Sequence, residues 1–463
     1  MSRPPCSAFV DASGPAAVTR GRARLAIASI LMALALVVLD ASIVNVALPT
    51  LSRSLEVTAA ASVLVVTAYQ TALVMALLPC AALGESLGYR RVFIGGVALF
   101  TLASALCATA PTLAWLVAAR FVQGLGAAAV MALGVALLRM VVPSDKLGVA
   151  IGWNALVVAL TSASGPTTGA MILSLASWPW LFAVNVPLGV LVLTAALALP
   201  DRQGSARPLD WLSMALNMTA FALLVLGAES LPKAPDLAGL LLVGAALTLI
   251  VMVRREIPKA APLIPLDLLG ERSFRLSVIA SIFCFTGQAA SIVALPFYLQ
   301  HALGLSPLAA GLYITPWPLM AAFAAWLAGR LARPGATAWV CAAGCACLSA
   351  GLCTASAWPL AGAPAGIVPM VMLCGFGFGL FQVTNNRNLF LAAPLQRSGA
   401  AGGLQSVARL LGQTAGVVLA TLLFSALSLE SAPRMCLGIG AILTLTAGLI
   451  SMLHPKSSRA TPT

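Results

Sequence analysis

The chain has 463 residues, of which 60% are hydrophobic and only 8% are charged, and its formal net charge at pH 7 is +13. This composition excludes a soluble globular protein of the same length and indicates a polytopic membrane protein. The basic residues occur singly or in pairs between apolar runs, as in loops that flank membrane helices, so the positive charge does not indicate nucleic-acid binding.

Fourteen apolar stretches are each long enough to cross a bilayer as a helix, for which about 20 residues suffice. In chain order they cover residues 25–47, 60–83, 92–110, 113–138, 147–174, 180–199, 209–228, 236–253, 276–298, 308–328, 336–356, 364–385, 400–428 and 435–453. The predicted fold is an all-α polytopic membrane protein with fourteen transmembrane helices and both termini on one side.

The two faces defined by these spans differ in charge. One face carries only Arg53, Lys233 and Arg434, and Arg120 and Arg409 lie inside spans, whereas the other basic residues all lie on the second face. Cytoplasmic loops are enriched in Lys and Arg. We therefore expect an integral protein of the plasma (inner) membrane with both termini in the cytoplasm.

An acidic residue, Asp40, lies inside the first span, in the stretch LDASIVNVALP (39–49). Such a carboxylate costs about 2.5–3.5 kcal/mol on insertion scales, so it predicts a functional site and requires a partner. Arg120 in span 4 is expected at the same depth, because each residue lies about seven positions, or roughly 10 Å, from the outer end of its helix. The pair is either a static ion pair that fixes helix packing or a proton switch whose proton affinity changes with separation and hydration.

Small residues predict close helix packing near these positions. The residues on the face of Arg120 at i+3, i+4 and i+7 are Gln123, Gly124 and Ala127. In span 5, Gly165 and Gly169 form a small-xxx-small pair, and Pro166 removes a backbone donor. The span 5 motif has two open interpretations, a packing kink and a direct part in coupling.

The remaining polar or aromatic side chains within spans are candidates to line a substrate cavity. They are Tyr69, Gln70, Asn154, Gln288, Gln382, Asn385, Gln405 and Arg409. An apolar pocket with few polar groups suits amphiphilic organic molecules better than sugars. Arg409 has a second interpretation, as a packed ion with a structural role.

Other classes of function lack their sequence patterns. The cysteines lie mostly in apolar runs without His or carboxylate neighbours, so we expect no metal site. The four lysines occur in no GxxxxGK[ST] phosphate loop, which argues against ATP-driven transport, and no filter sequence indicates a channel. His301 and His454 fall in loops or tails rather than in a catalytic cluster, so we expect no enzyme.

Two cytoplasmic loops echo each other eight spans apart. The loop after span 2 reads GESLGYRR (84–91), and the loop after span 10 reads GRLARPG (329–335). This offset fits two parallel six-helix repeats with two inserted helices between them. The predicted organisation is a cytoplasmic tail (1–24), a six-helix bundle (25–199), a segment with linkers and inserted helices 209–228 and 236–253 (200–275), a second six-helix bundle (276–453) and a cytoplasmic tail (454–463).

These patterns resemble the major facilitator superfamily, and specifically its fourteen-helix branch of drug:proton antiporters. The stretch 39–49 and the stretch WPWLFAVNVP (178–187) are similar to signatures of that branch, with Pro179 where an Arg is common. The motif RFVQG (120–124) is similar to the proton-linked motif, and GPTTGA (165–170) to the antiporter motif with Ala170 for its final Gly.

The loop after span 2 is similar to the superfamily's conformational loop. Gly88, Arg90 and Arg91 are in place, Glu85 replaces the usual Asp, and Ser86 replaces an Arg. Glu85 keeps the negative charge, whereas the change at Ser86 removes one member of a salt-bridge network.

The resemblance implies a major facilitator fold and a secondary transporter that exports amphiphilic compounds or drugs from the cytoplasm in exchange for protons. Asp40 and Arg120 would carry the proton coupling, with protons as coupling ion and no cofactor. The alternative on the same fold is a proton-coupled symporter for a small organic nutrient. The expected partners are the bilayer and the small molecule, with no nucleic acid; we expect a monomer, with association with a periplasmic adaptor left open.

The charge asymmetry makes a testable prediction about topology. Reporter fusions at Lys233 and His301 should map to the outer face, and fusions at Arg202 and Lys259 to the cytoplasm. Paired alkaline phosphatase and fluorescent-protein fusions measure this. One exchanged pair would contradict the fourteen-helix count.

Overall fold

The computed structural model describes residues 20–143, 147–201, 209–231, 234–257, 266–331, 337–358, 364–392 and 398–453. All regular secondary structure in these ranges is helical. Within them, 13 helices are long and apolar enough to cross a membrane, and Trp180–Ala196 is a shorter apolar helix. The prediction of an all-α membrane fold is confirmed. Most of both predicted tails, residues 332–335 of the second echoing loop, and Arg202, Lys233 and Lys259 lie outside the described residues.

The helices are numbered in chain order. They are α1 (Arg20–Ser54), α2 (Ala59–Leu87), α3 (Tyr89–Ala108), α4 (Leu113–Val141), α5 (Leu147–Leu175), α6 (Trp180–Ala183), α7 (Asn185–Ala196), α8 (Trp211–Ser230), α9 (Pro235–Glu256), α10 (Arg272–Phe297), α11 (Pro307–Ile314), α12 (Pro316–Leu331), α13 (Thr337–Ala357), α14 (Ile367–Ala392), α15 (Ser398–Ala426) and α16 (Ser431–Met452). A π-helical turn, Tyr298–Ala302, extends α10. We count α6 with α7 as one crossing and α11 with α12 as another, so the described ranges contain thirteen long apolar helices and one shorter one, beside the fourteen spans that the sequence predicts. We call the end of the bundle at which α1 begins the basic face, and the other end the opposite face.

Local sequence signals set several helix boundaries. The side chains of Thr58, Thr112 and Ser306 each accept a hydrogen bond from the backbone N–H three residues later, which caps α2, α4 and α11. Between α2 and α3 the chain turns at a single residue, Gly88, whose φ of 99° is disfavoured for other residues. The predicted conformational loop is thus a one-residue helix junction that requires glycine.

Glycine contacts recur in the first half of the chain (α1–α7) and in the second half (α10–α16). A β-carbon added to Gly96 in α3 would lie 3.1 Å from the carbonyl oxygen of Gly126 in α4. A β-carbon added to Gly344 in α13 would lie 2.7 Å from the carbonyl oxygen of Gly377 in α14. Between lipid-exposed helices such close approach supplies the van der Waals contact that replaces a hydrophobic driving force. The same packing device therefore appears eight crossings apart.

The helix pair α8 and α9 lies at the perimeter of the bundle. The amide of Asn217 in α8 is fully buried and donates a 2.9 Å hydrogen bond to the backbone oxygen of Met75 in α2. In contrast, α9 exposes apolar side chains such as Leu240 and Leu247 to the surroundings. At the basic face, Arg255 of α9 pairs with Asp210 at the start of α8, with a distance of 3.2 Å. The helix pair α8–α9 is therefore held to the first half through α8.

The helices α1 and α5 meet the second half through their opposite-face ends. Gln300 in the π-helical turn donates a 3.1 Å hydrogen bond to the backbone oxygen of Val46, and Arg53 lies 3.5 Å from the Nε2 atom of His301. Ile43, Val44 and Leu48 pack in one buried cluster with α10 side chains such as Val293 and Phe297. The opposite face is therefore closed along α1 in this structure.

The contact between α5 and α11 depends on Gly311. A β-carbon there would lie 2.5 Å from the β-carbon of Ala170 and 2.6 Å from the backbone oxygen of Pro166. We predict that Gly311→Ala lowers the melting temperature of the purified protein, because overpacking costs about 1–3 kcal/mol. The matched control is Gly329→Ala on the same crossing, where no atom lies within 4 Å. Equal melting temperatures for the two variants would contradict this packing.

Candidate functional site

An ion pair lies buried within the first half. The Nη1 atom of Arg120 in α4 is 2.5 Å from the Oδ2 atom of Asp40 in α1, and each residue is 1% exposed. The depth argument from the sequence thus identified two residues that the structure places in contact. A charge pair at this depth needs further hydrogen bonds to offset the loss of water around both groups.

Two amides complete the surroundings of the carboxylate. Its Oδ1 atom accepts hydrogen bonds from the side-chain amides of Gln123 in α4, at 3.0 Å, and Asn185 in α7, at 2.7 Å. The Gln123 amide also donates to Ser104 in α3, at 2.8 Å. The carboxylate therefore connects α1 with α4 and α7, and through Gln123 with α3.

The guanidinium group is held by α2 and α4 as well as by the carboxylate. Arg120 donates to the backbone oxygen of Val65 at 3.3 Å and to the side-chain oxygen of Gln123 at 2.6 Å. Its central carbon lies 4.2 Å from the centre of the Tyr69 ring and 5.6 Å from that of Phe182. Aromatic faces attract a cation most strongly where water is absent.

Local sequence explains why these groups meet. A β-carbon on Gly124 would lie 2.5 Å from the backbone oxygen of Tyr69, so the glycine lets α2 approach α4 closely enough for Tyr69 to lie under Arg120. Asn185 is the first residue of α7, directly after the break at Val184. Gly124 was predicted to let a neighbouring helix approach the face of Arg120, and in the structure it does so for α2.

Both oxygens of the Asp40 carboxylate accept hydrogen bonds, but two nearby polar atoms have no hydrogen-bond partner. The side-chain oxygen of Asn185 and the hydroxyl of Tyr69 are buried without hydrogen-bond partners. Buried polar atoms are normally paired. The site therefore has an acceptor directly beside Asp40 that the ionised carboxylate does not use.

A sequence model of the Major Facilitator Superfamily matches residues 30–417. The chain belongs to the Major Facilitator Superfamily. Uncharacterized transporter YebQ of Escherichia coli (strain K12) is 39% identical over 440 residues, which are 94% of this chain and 96% of that protein. Multidrug resistance protein Stp of Mycobacterium tuberculosis is 31% identical over 87% of this chain and 76% of its own length. Riboflavin transporter RibZ of Clostridioides difficile (strain 630) is 28% identical over 80% of this chain and 81% of its own length.

Solved structures agree on the fold. An inward-facing, unoccupied bacterial homologue of the human lysosomal transporter Spinster aligns with a TM-score of 0.67 at 14% identity, over 94% of this chain and 97% of that one. A proton-dependent oligopeptide transporter aligns with a TM-score of 0.66 at 15% identity, over 92% and 97%. As a Major Facilitator Superfamily member, the chain is a membrane transporter and not an enzyme.

The antiporter-type motif lies where α5 contacts both α1 and α11. Gly165 faces Ser42, and a β-carbon on Gly169 would lie 3.0 Å from the backbone oxygen of Ile43, so both glycines pack against α1. Pro166 lies inside α5 without ending the helix, and its backbone oxygen faces Gly311. The motif therefore connects the helix that carries Asp40 with the second half of this Major Facilitator Superfamily protein.

The residues of the conformational loop take different positions. Arg90 donates to the backbone oxygen of Leu197 at 3.2 Å and lies 3.6 Å from the carboxylate of Asp201, which ties α3 to the end of α7. Arg91 is exposed, and Glu85 lies in the last turn of α2. Arg90 of this loop thus pairs with Asp201, a residue that the sequence patterns did not single out.

Two predicted cavity residues are buried in packed contacts in this structure. Tyr69 is 1% exposed and belongs to the cage around Arg120, because its ring supports the guanidinium group. Asn385 is fully buried and donates to Ser281 at 2.7 Å and to the backbone oxygen of Ser277 at 3.1 Å, joining α14 to α10. Their place in a substrate cavity stays a prediction, and the structure adds the packed neighbours that sequence periodicity alone does not reveal.

The other cavity candidates are spread over both halves. Gln405 donates to Asn386 at 2.8 Å and accepts from Ser281 at 3.2 Å, and Gln288 is 7% exposed. The half-buried candidates are Gln70, Asn154, Gln382 and Arg409. Within the described residues, Arg409 has no ion pair, and its Nε atom is buried without a hydrogen-bond partner.

The sequence patterns assigned no individual role at the site to Asn185 or Ser104, and they placed Gln123 on a packing face and in the RFVQG motif without a hydrogen-bond partner. The depth argument could have found Asn185, which lies about five residues, or roughly 8 Å, from the outer end of span 6 and hence close to the depth of Asp40.

We predict that Gln123→Met destabilises the protein. The substitution keeps a similar volume but removes hydrogen bonds to both charges, and hydrogen bonds to charged groups contribute about 1.5–3 kcal/mol each. Thermal unfolding of the purified protein measures the change. The control is Gln70→Met in α2, since the side-chain oxygen of Gln70 has no partner. A similar loss in both variants would show that the Gln123 bonds add nothing specific.

Proposed function

We propose that the protein is a proton-coupled exporter of amphiphilic organic compounds, of the fourteen-helix drug:proton antiporter branch. The observation that carries this proposal is the carboxylate of Asp40, buried in the membrane and held by Arg120 and two amides. An acidic group in the membrane interior is expensive and is by default a functional-site hypothesis, of which a proton relay is one kind.

Protonation of Asp40 changes which hydrogen bonds the network can make. The ionised carboxylate accepts from Arg120, Gln123 and Asn185. A neutral carboxylic acid donates one hydrogen bond and attracts the guanidinium group less. After rotation of its amide, the unpartnered oxygen of Asn185 can accept a hydrogen bond from the O–H of protonated Asp40. Each protonation state therefore favours its own arrangement of α1 against α4 and α7.

The position of α1 links this change to the second half. Between Asp40 and the opposite face, α1 packs against the glycines of α5. In the same stretch, the backbone oxygen of Val46 accepts a hydrogen bond from Gln300. A shift of α1 acts directly on the contacts that close the opposite face. In alternating access, proton binding would then favour one state of this closure and substrate binding the other.

The relatives support export of drug-like compounds. Several proteins similar to this chain are named multidrug resistance proteins or drug efflux pumps. The distribution of Lys and Arg supports placing the basic face in the cytoplasm. The inner membrane of a bacterium fits both observations.

A second candidate is uptake of a small organic nutrient by symport. The observation in its favour is the similarity to a riboflavin transporter over most of both chains. The half-buried Arg409, with its unpartnered Nε atom, offers a hydrogen-bond donor suited to a polar or anionic nutrient. The two candidates differ in the direction of substrate movement relative to protons.

Inverted vesicles with an acidic lumen and a trapped pH-sensitive dye distinguish these candidates. We predict that amphiphilic cations or neutral antibiotics added outside raise the lumenal pH, because substrate enters as protons leave. A symporter would release protons only when the nutrient is loaded inside the lumen. Compounds to compare are amphiphilic cations, neutral antibiotics, riboflavin and sugars. Equal, gradient-independent movement of all of them would contradict any coupled transport.

We predict that Asp40→Asn preserves folding but abolishes gradient-driven efflux while leaving energy-independent exchange. The amide keeps the size of the carboxylate but cannot exchange a proton. Arg120→Lys should impair coupling less than Arg120→Ala, because a charge remains although the planar fork is lost. Efflux and exchange measured in the same vesicles, with expression and melting temperature recorded, test this.

A static ion pair predicts a different pattern. Both single variants would then lose expression and stability together, and replacing Asp40 and Arg120 simultaneously with apolar residues would restore transport. Full proton-driven efflux in a well-expressed Asp40→Asn protein would likewise exclude the proposed proton carrier.

A further inference from the structure

A cavity whose lining does not include the ion pair lies between α2, α8 and α15. Its volume is about 230 Å³ and its lining is almost entirely apolar, with Val74, Phe221, Leu224 and Val418 among the side chains. Leu224, on the perimeter helix α8, lines it and is exposed. The cavity therefore opens towards the hydrocarbon of the bilayer rather than towards either aqueous face.

Two hydroxyl groups lie on the wall of this cavity without hydrogen-bond partners. They belong to Thr71 in α2 and Thr414 in α15, which are 7% and 5% exposed. Threonines elsewhere on the same helices satisfy their hydroxyls within the helix: Thr67 donates to Val63 and Thr421 donates to Val417. An unpaired hydroxyl in hydrocarbon has no water to compensate it, so both groups lack an acceptor that a ligand can supply.

The two hydroxyls belong to opposite halves of the protein but lie at one depth. Each threonine is twelve residues from the opposite-face end of its helix, Ala59 for α2 and Ala426 for α15. Twelve residues correspond to about 18 Å of helix. Both hydroxyls are therefore deep in the hydrocarbon core, on either side of one apolar space.

We propose that this cavity binds a neutral lipophilic molecule that carries a carbonyl or ether oxygen within an apolar body. The oxygen accepts hydrogen bonds from Thr71 and Thr414, and the apolar body fills the space between α8 and α15. The volume, below the 300–1,000 Å³ of typical drug sites, suits one or two rings or a single chain.

Depth identifies the source of this ligand. The ester oxygens of a phospholipid lie near the headgroups, and its tails offer only carbon at the depth of the two threonines. The occupant is therefore a compound dissolved in the bilayer core, which reaches the protein sideways. The site does not require Asp40 to carry protons, so it can be tested independently of the proposed antiport.

Benzophenone is a suitable probe, because it is neutral, lipophilic and photoreactive at its own carbonyl group. The full-length protein in phospholipid nanodiscs is irradiated with benzophenone, and adducts are located by peptide mass spectrometry. We expect adducts on α2, α8 or α15 at the cavity. Dicyclohexyl ketone should compete for labelling, whereas dicyclohexylmethane, which lacks the oxygen, should compete poorly.

Matched variants separate the hydroxyls from the cavity. Thr71→Val with Thr414→Val should lower the adduct yield about five-fold, the factor that corresponds to about 1 kcal/mol of hydrogen bonding. Thr67→Val with Thr421→Val is the control on the same helices and should leave the yield unchanged. Ala228→Phe should also lower it by filling the space.

Three results would overturn the proposal. The first is labelling spread evenly over the lipid-facing surface. The second is equal labelling of the two double-valine variants. The third is equal competition by dicyclohexylmethane, which would indicate a groove for acyl chains without hydrogen bonding. Adducts confined to the cavity and dependent on Thr71 and Thr414 would support it, whatever the outcome of the transport assays.

Discussion

The structure depends on the compensation of one negative charge inside the membrane. Asp40 brings with it the guanidinium of Arg120, the amides of Gln123 and Asn185 and the aromatic face of Tyr69. Removing one partner from a buried charge pair leaves the other uncompensated, so these groups fold as a unit. The approach of α2 to α4, the break before α7 and the glycine on the face of Arg120 all serve this arrangement. The helices of the first half are thus positioned by this charge network more than by their apolar side chains. Apolar side chains gain little by contacting another helix instead of lipid.

Much of the fold could be predicted from the sequence, because in a membrane each crossing must be a long apolar helix. The stretch 180–199 was predicted as a span although its helix is broken at Val184, since hydropathy does not depend on a one-residue turn. The Asp40–Arg120 contact could be predicted because depth alone limits the partners of a buried charge. The packed neighbours of Tyr69 and Asn385 could not be predicted, because the direction of a side chain depends on helix rotation, which the nearly uniform apolarity of these spans does not encode. Asn185 was overlooked because a single neutral amide in a span carries no charge to demand a partner.

The two halves are joined by contacts of different kinds. At the opposite face, glycine and backbone groups on α5 and α11 touch directly, and a single hydrogen bond links Gln300 to Val46. Near the middle of the membrane, by contrast, α2 and α15 leave a cavity with two unpaired hydroxyls. The contacts at the opposite face form without any ligand, whereas the two hydroxyls at the cavity lack hydrogen-bond partners. Closure of the opposite face therefore needs no ligand in this structure, whereas the proposed ligand would add contacts between the halves at mid-depth.

The hydrogen bond from Asn217 to Met75 has a mechanical consequence. Because it is buried where no water can replace it, breaking it during each transport cycle would leave both groups unpaired in hydrocarbon. The helix α8 should consequently travel with α2 as one rigid body when the halves rock. Its contact with α15 then becomes a shear plane, along which one surface slides past the other while the rest of the perimeter stays intact. If the two halves rock during transport, the pair α8–α9 would therefore move with the first half and extend its boundary outward into the lipid.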